Sequence, residues 1–350
     1  MNEQTQQGTP KVSVVSVTYN HEAYIRDALN GFVAQKTDFP VEVIVADDGS
    51  TDASPAIIRD YATRYPELFR PILRSKNVGV NANTKDALSS ARGEYVALCD
   101  GDDYWTDPMK LSKQAAFLDE HPDIAVCFHP VRTIWTAGDY DESTKLQDVL
   151  RTLERVVFPE FPPFFWAGDM SLNTLISRNF IQTNAAMYRR LDNYGGIPAD
   201  VMPLDWFLHV WHGATGGIAM LSETMGIYRR HPKGIWWDAT VNPAKFWQNY
   251  GPGHLATLEA MLDLFPDDPV REAIIAKNAS RFLGRIAHYV PGETGHALLY
   301  DLVQQHPRIA MLALRHRSSK RSRAQVDSRW QTMKAVVKDT RRTLRLSRDP

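Results

Sequence analysis

Cysteine is scarce in this chain: only Cys99 and Cys127 occur in 350 residues. Both sit in apolar, strand-like runs, which fits buried free thiols and offers no disulfide framework. Long hydrophobic runs are missing too. No stretch approaches the ~20 apolar residues of a membrane span, and the first ten residues hold no apolar signal core. A cytosolic protein is therefore expected, or one attached to a membrane only from the side. Excess charge of either sign is absent, the formal net charge being −1, so no global field points to nucleic acid. Two phosphate-binding signatures are lacking as well. A dinucleotide site needs G-x-G-x-x-G after the first strand, where this chain has Thr18-Tyr19-Asn20-His21. No P-loop pattern occurs either, and nicotinamide cofactors are disfavoured.

What is present is an alternation of short apolar runs and helical patterns. Val12–Val17, Val41–Ala46, Pro71–Arg74, Glu94–Cys99 and Ile124–Phe128 read as strands. The patterns around Tyr24–Phe32, Ala56–Tyr61, 82–91 and 108–119 read as helices. Continuous apolar strands separated by helices are the sequence form of a mostly parallel sheet covered on both faces. Ligands of such sheets bind outside the carboxyl ends of the strands.

Three of these strands end in polar residues suited to a ligand: Thr18-Tyr19-Asn20, Asp47-Asp48-Gly49 and Asp100-Gly101-Asp102-Asp103. The third packs three carboxylates into four residues. Like charges repel, and each must be solvated or paired. A hard cation such as Mg²⁺ or Mn²⁺ removes that cost and keeps positions open for phosphate oxygens. The competing reading is an acidic turn that caps the next helix, since Asp107-Pro108 resembles a helix start. At the second end, an Asp or Ser capping a strand-to-helix turn competes with a carboxylate that accepts an N–H of uracil or guanine. Tyr19 could stack on a base.

In order along the chain stand Val14-Val15-Ser16-Val17-Thr18-Tyr19-Asn20-His21-Glu22, Val45-Ala46-Asp47-Asp48-Gly49-Ser50-Thr51-Asp52, Asn77-Val78-Gly79, Ala91-Arg92-Gly93-Glu94-Tyr95 and Leu98 to Trp105. This ordered set resembles the family two glycosyltransferases with the A-type nucleotide-diphospho-sugar fold, over about residues 11–237. The resemblance implies sugar transfer from a nucleotide-diphospho-sugar donor, most often UDP-linked, with inversion at the anomeric carbon. It implies that Asp47 or Asp48 reads the base and that Asp100 and Asp102 form a D-x-D motif for ribose, metal and diphosphate. Asp103 leaves that motif ambiguous by one position. Thr18, Tyr19 and Asn20 join the donor pocket by the same resemblance, and Lys76 and Arg92 are expected near it.

Residues 136–170 lose periodicity and contain Phe158-Pro159-Glu160-Phe161-Pro162-Pro163-Phe164-Phe165-Trp166. An acceptor loop and a hydrophobic plug both fit. Phe180–Arg190 reads as a strand leading into a basic turn. Asp205 opens an apolar helix and alone is an ordinary cap. The resemblance places a general base there, and a helix N-terminus stabilises its ionised form. His209 and His212 read as packing or surface residues. Ile218–Leu221 and Met225–Tyr228 read as paired strands. In Tyr228-Arg229-Arg230-His231-Pro232-Lys233-Gly234-Ile235-Trp236-Trp237, Arg230, His231 and Lys233 suit phosphate oxygens. The family segment it resembles lets His231 complete the metal shell or touch diphosphate, with Trp236 on the diphosphate and acceptor side.

The domains expected are a disordered tail at 1–10, a catalytic domain at 11–237, a helical extension at 238–314 with a packing or dimerising role, and a basic amphipathic tail at 315–350. The acceptor expected is a saccharide or a lipid-linked glycan; the tail could lie on an anionic membrane surface, which would suit the lipid-linked one. A solvated tail or a helix docked on a partner fits it too. Two other functions remain open: a sugar nucleotidyltransferase, which lacks its glycine-rich basic loop here, and a non-catalytic nucleotide- or glycan-binding module.

Overall fold

A computed structural model of the chain describes residues 9–136 and 170–319. Most of the amino-terminal tail, the aromatic stretch for which an acceptor loop and a hydrophobic plug both fit, and the basic tail beyond 319 lie outside the described residues. The chain divides into two compact units. One holds residues through Leu172, Phe180–Ala199 and His212–His231; the other holds Asn173–Asn179, Asp200–Trp211 and the chain from Pro232 onward. In this division the chain passes to the second unit after His231, and Asp205 groups with the helical unit.

The first unit is built on a seven-stranded sheet. Its strands are β1 (Val12–Thr18), β2 (Val41–Asp47), β3 (Phe69–Leu73), β4 (Tyr95–Leu98), β6 (Ile124–Phe128), β8 (Met187–Arg189) and β9 (Gly217–Met220), in the order β3-β2-β1-β4-β8-β6-β9. β1 to β4 pair in parallel; β8 runs antiparallel to both β4 and β6. Side chains alternate across the sheet. Val12, Val14, Val43, Val45, Tyr95 and Ala97 share one buried cluster with Ile25, Leu29 and Phe32 of α1 (Ile25–Val33), with Ile57 and Ile58 of α2 (Ser54–Arg64) and with Leu111 and Leu118 of α4 (Lys110–Glu120). α3 (Val80–Ser89) packs on β1 and β2, and Asn83 donates to the Ala46 carbonyl at 2.9 Å. A second, three-stranded sheet joins β5 (Tyr104–Trp105), β10 (Gly226–Arg230) and β7 (Val131–Trp135), with β10 in the middle.

Three expectations are corrected. Of Phe180–Arg190 only Met187–Arg189 is strand; Thr183–Ala185 forms a 3₁₀ turn. The strands expected to pair with each other lie in different sheets: β9 pairs with β6, and β10 with β5 and β7. Arg92 precedes β4, so it sits at the amino end of the sheet, opposite the rim where a donor would lie. There Glu42, buried on β2, accepts from Ser13 Oγ at 2.6 Å, Arg70 Nη1 at 2.6 Å, and Arg92 Nε and Nη2 at 3.0 and 2.7 Å. Burial works against the charge, but the hydrogen bonds from Arg92, Ser13 and Arg70 outweigh it and lower the Glu42 pKa to about 2.

A folded-state pKa below the unfolded value adds stability above the unfolded value, near 4.5, and loses it as pH falls toward about 2. With two half-exposed guanidiniums as partners, the contribution is on the order of 2 kcal/mol. Glu42→Ala strands those cations and is expected to cost about 3 kcal/mol. Thermal denaturation at pH 7 checks this: the midpoint falls by about 6–12 °C, and the difference from wild type shrinks as the pH is lowered to 3.

The second unit is helical. α7 (Ile235–Val241), α8 (Pro243–Asp263), α9 (Pro269–Tyr289), α10 (Gly292–Gln305) and α11 (Pro307–Ser319) follow α5 (Leu172–Ser177) and α6 (Leu204–Gly213) in sequence. α8 and α9 each start with proline behind a capping side chain, Asn242 accepting from Lys245 N and Asp268 from Val270 N and Arg271 N. Among the described residues, no helix is long and apolar enough to cross a membrane.

Candidate active site

Because β2, β1 and β4 are parallel neighbours, their carboxyl ends share one rim. At the end of β1, Thr18 is buried and Tyr19 exposed. Asn20 takes the left-handed backbone, φ 57°, which asparagine tolerates better than most residues. Its N–H donates to Ser50 Oγ at 2.8 Å and its Oδ1 accepts from Thr51 N at 2.8 Å, so Asn20 ties two rim loops together. At the end of β2 the two aspartates differ. Asp48 accepts from Val78 N at 2.8 Å and Gly79 N at 3.0 Å, which fixes the loop after β3. Asp47 Oδ2 accepts from Ser50 N at 3.0 Å, while its buried Oδ1 meets no donor among the described residues. Gly49 has φ 73°, and a Cβ there would stand 2.5 Å from the Lys76 carbonyl carbon. Lys76 is thus brought beside this turn, with its side chain exposed.

The acidic turn after β4 lies against β1. Gly101 N donates to the Val17 carbonyl at 2.9 Å, and a Cβ on Gly101 would come 2.7 Å from Thr18 Oγ1. Asp100 and Asp102 are half-buried at this edge, whereas Asp103 is buried. Asp103 Oδ1 accepts from Arg229 N at 2.8 Å. Burial, then the Asp102 charge, pushes the Asp103 pKa well above the usual carboxylate range. Asp103 is therefore a lock between the turn and β10.

Arg229 completes that lock. Its guanidinium donates to the Asp102 carbonyl at 2.8 Å and to Asp27 Oδ2 at 2.6 Å, and stands 5.0 and 4.8 Å from the Tyr24 and Tyr104 ring centres. Two residues further along the same strand direction, His231 is carried back onto the turn. Its Nε2 lies 3.1 Å from Asp102 Oδ2, and the Nε2 of His21 lies 3.8 Å from the same oxygen. Burial opposes ionisation of Asp102, but His21 and the hydrogen bond with His231 outweigh it and lower its pKa. Desolvation in turn lowers the pKa of His21, with Asp102 opposing. The Nδ1 atoms of both imidazoles are buried and meet no partner among the described residues. Sequence reasoning missed His21 and Arg229, although both adjoin residues it had singled out.

The Arg230 guanidinium sits 4.9 Å from the Trp135 ring centre. Lys233 is exposed in the second unit. Trp236 packs 5.3 Å from Phe246 and 6.2 Å from His254, between ring centres, in the aromatic core of that unit. Asp205, in the first turn of α6, accepts from Asn179 Nδ2 at 3.0 Å and has His209 Nε2 at 3.9 Å. His209 and His212 are both buried; burial lowers the His212 pKa to about 3, and its Nδ1 pairs with the Arg189 carbonyl.

Among the described residues, no three His, Cys, Asp or Glu side chains are gathered to hold a metal ion. Two of them do stand at ligand spacing. The 3.1 Å between Asp102 Oδ2 and His231 Nε2 is about the edge of an octahedron with bonds of roughly 2.1 Å. Carboxylates at Asp100 and Asp102 with one imidazole are a donor set suited to Mg²⁺ or Mn²⁺ whose remaining positions go to phosphate or water.

The model of glycosyl transferase family 2 matches residues 13–195. An uncharacterized protein of Mycobacterium tuberculosis is 52% identical over 342 residues, spanning 97% of this chain and 94% of its own length. The poly(ribitol-phosphate) β-N-acetylglucosaminyltransferase TarS of Staphylococcus aureus is 40% identical over 114 residues, which are 32% of this chain and 19% of that protein. A crystal structure of S. aureus TarS residues 1–349 with UDP superposes with a TM-score of 0.56 at 20% identity, covering 95% of this chain and 92% of that one. The fold is thus the A-type glycosyltransferase fold. With a family match over more than half its length and a relative matching almost end to end, the chain belongs to glycosyl transferase family 2 and is a glycosyltransferase.

Proposed function

We propose that this glycosyltransferase moves a sugar from a UDP-sugar to a saccharide or lipid-linked acceptor, with inversion, in the presence of Mg²⁺ or Mn²⁺. The observation that carries the reading is the single rim on which Asp47, Asp48, Asp100 and Asp102 converge, with His231 3.1 Å from Asp102. The TarS structures with UDP and UDP-GlcNAc support UDP as the donor's nucleotide.

In this reading Tyr19 stacks on the base and the Asp47–Asp48 pair accepts its N–H, the unpartnered Asp47 Oδ1 being the oxygen with capacity to spare. Asp100 takes ribose hydroxyls and, with Asp102 and His231, holds the cation. When bound, that cation stabilises the negative charge that develops on the diphosphate. Asp205 accepts the proton of the acceptor hydroxyl. The hydroxyl oxygen bonds to the anomeric carbon from the face opposite the diphosphate, and the electron pair of the breaking carbon–oxygen bond leaves with the diphosphate. Lys76, Arg230 and Lys233 add positive charge for phosphate, and Trp236 serves through the packing of its helix. The cations from Arg315 onward would favour an anionic lipid surface, in keeping with a lipid-linked acceptor.

A thermal-shift screen of UDP, GDP, CMP and their sugar conjugates, with Mn²⁺ and with EDTA, tests the donor. A ligand at a hundred times its Kd adds about 2.7 kcal/mol. UDP and UDP-sugars are expected to raise the midpoint with Mn²⁺ only. A shift that is the same in EDTA, or no shift with any nucleotide, contradicts the reading.

A further inference from the structure

We infer that His21 is a hydrogen-bond donor to the donor substrate's diphosphate, beside the cation site. This rests on the nucleotide-sugar reading and adds a residue to it. His21 is placed with unusual firmness for a loop side chain. Its backbone N–H donates to Ser54 Oγ at 3.0 Å, and its carbonyl accepts from Tyr24 N and Ile25 N, both at 2.8 Å, where α1 begins. The preceding residue, Asn20, is pinned to Ser50 and Thr51 across the rim. The backbone of His21 is therefore held in a fixed place relative to the rim.

Its two nitrogens differ. Nδ1 is buried and meets no acceptor. A buried N–H without an acceptor is costly, so the neutral ring carries its proton on Nε2. That atom lies 3.8 Å from Asp102 Oδ2, too far for a hydrogen bond, so Asp102 leaves this N–H unused. It is also wider than the spacing of Asp102 and His231, so His21 stands beside the pair that fits a cation without joining it. An oxygen bound to a cation on Asp102 would lie within reach of this N–H. Diphosphate oxygens are the anionic acceptors that the rim is otherwise arranged to receive, and hydrogen bonds to charged acceptors are roughly twice as strong as neutral ones.

Isothermal titration with UDP and with UMP, in excess Mn²⁺, tests the role on the full chain and two variants. His21→Ala is expected to weaken UDP tenfold or more and UMP less than threefold. In His21→Gln the amide nitrogen falls near the Nε2 position, and UDP affinity is expected within about threefold of wild type. Unchanged UDP binding by His21→Ala overturns the inference while leaving the donor reading intact. Equal losses of UDP and UMP, or no recovery in His21→Gln, assign His21 to the loop's structure and also overturn it. Failure of the wild type to bind UDP overturns the donor reading and this inference with it.

Discussion

Asp102→Asn is expected to lower sugar transfer by roughly 10³-fold or more, while Asp103→Asn stays within about threefold of wild type. The two residues are adjacent and chemically identical, so the contrast comes from placement alone. Asp102 is held ionised between two imidazoles at the rim. Under the proposed function, removing its charge removes a cation ligand, and about 4 kcal/mol of lost stabilisation of the departing diphosphate is a thousandfold in rate. Asp103 is buried, burial and the Asp102 charge raise its pKa, and its Oδ1 has only to accept from Arg229 N. An asparagine oxygen can do the same. Initial rates of nucleotide release from the donor measure both. If Asp103→Asn abolishes transfer and Asp102→Asn does not, the ligand has been assigned to the wrong carboxylate.

Asp205→Asn is expected to lower kcat by about 10²- to 10⁴-fold, the range for loss of a general base, with the Kd for UDP unchanged. Asp205 lies inside the first turn of α6 and is not its capping residue, and an asparagine there can still pair with Asn179. The substitution therefore separates proton transfer from stability. If Asp205 serves only α6, the variant keeps its rate; if it takes the acceptor's proton, the rate collapses without a change in thermal midpoint. The apolar half of that helix is independently anchored, Trp206 donating to the Leu175 carbonyl at 2.7 Å, so the fold tolerates the exchange.

The rim is legible in the sequence because parallel strands announce their carboxyl ends: each apolar run switches abruptly to polar residues at Thr18, Asp47 and Asp100. Chain direction carries the same kind of information for Arg92. A residue three positions before the start of β4 must sit at the amino end of the sheet, and there it clamps Glu42. Other features have no local signal. The strand Tyr104–Trp105 is two residues long and exists only by pairing with Gly226 and Ile227, far along the chain. The runs that form β9 and β10 look like a hairpin, but each finds a partner elsewhere because β10 is drawn to the acidic turn by Arg229. Nothing in the repeated aspartates distinguishes the one that points inward. Trp236 reads as an acceptor platform in a cationic stretch, yet indole packing against Phe246 and His254 groups it with the helical unit.

The most direct measurement is the equilibrium binding of UDP to wild type and to Asp102→Asn by calorimetry, with Mn²⁺ and with EDTA. The wild type is expected to bind at least tenfold more tightly with Mn²⁺ than with EDTA, and Asp102→Asn to bind equally weakly in both. Binding of UDP that ignores both the ion and the Asp102 carboxylate would contradict a rim built around a cation and a diphosphate.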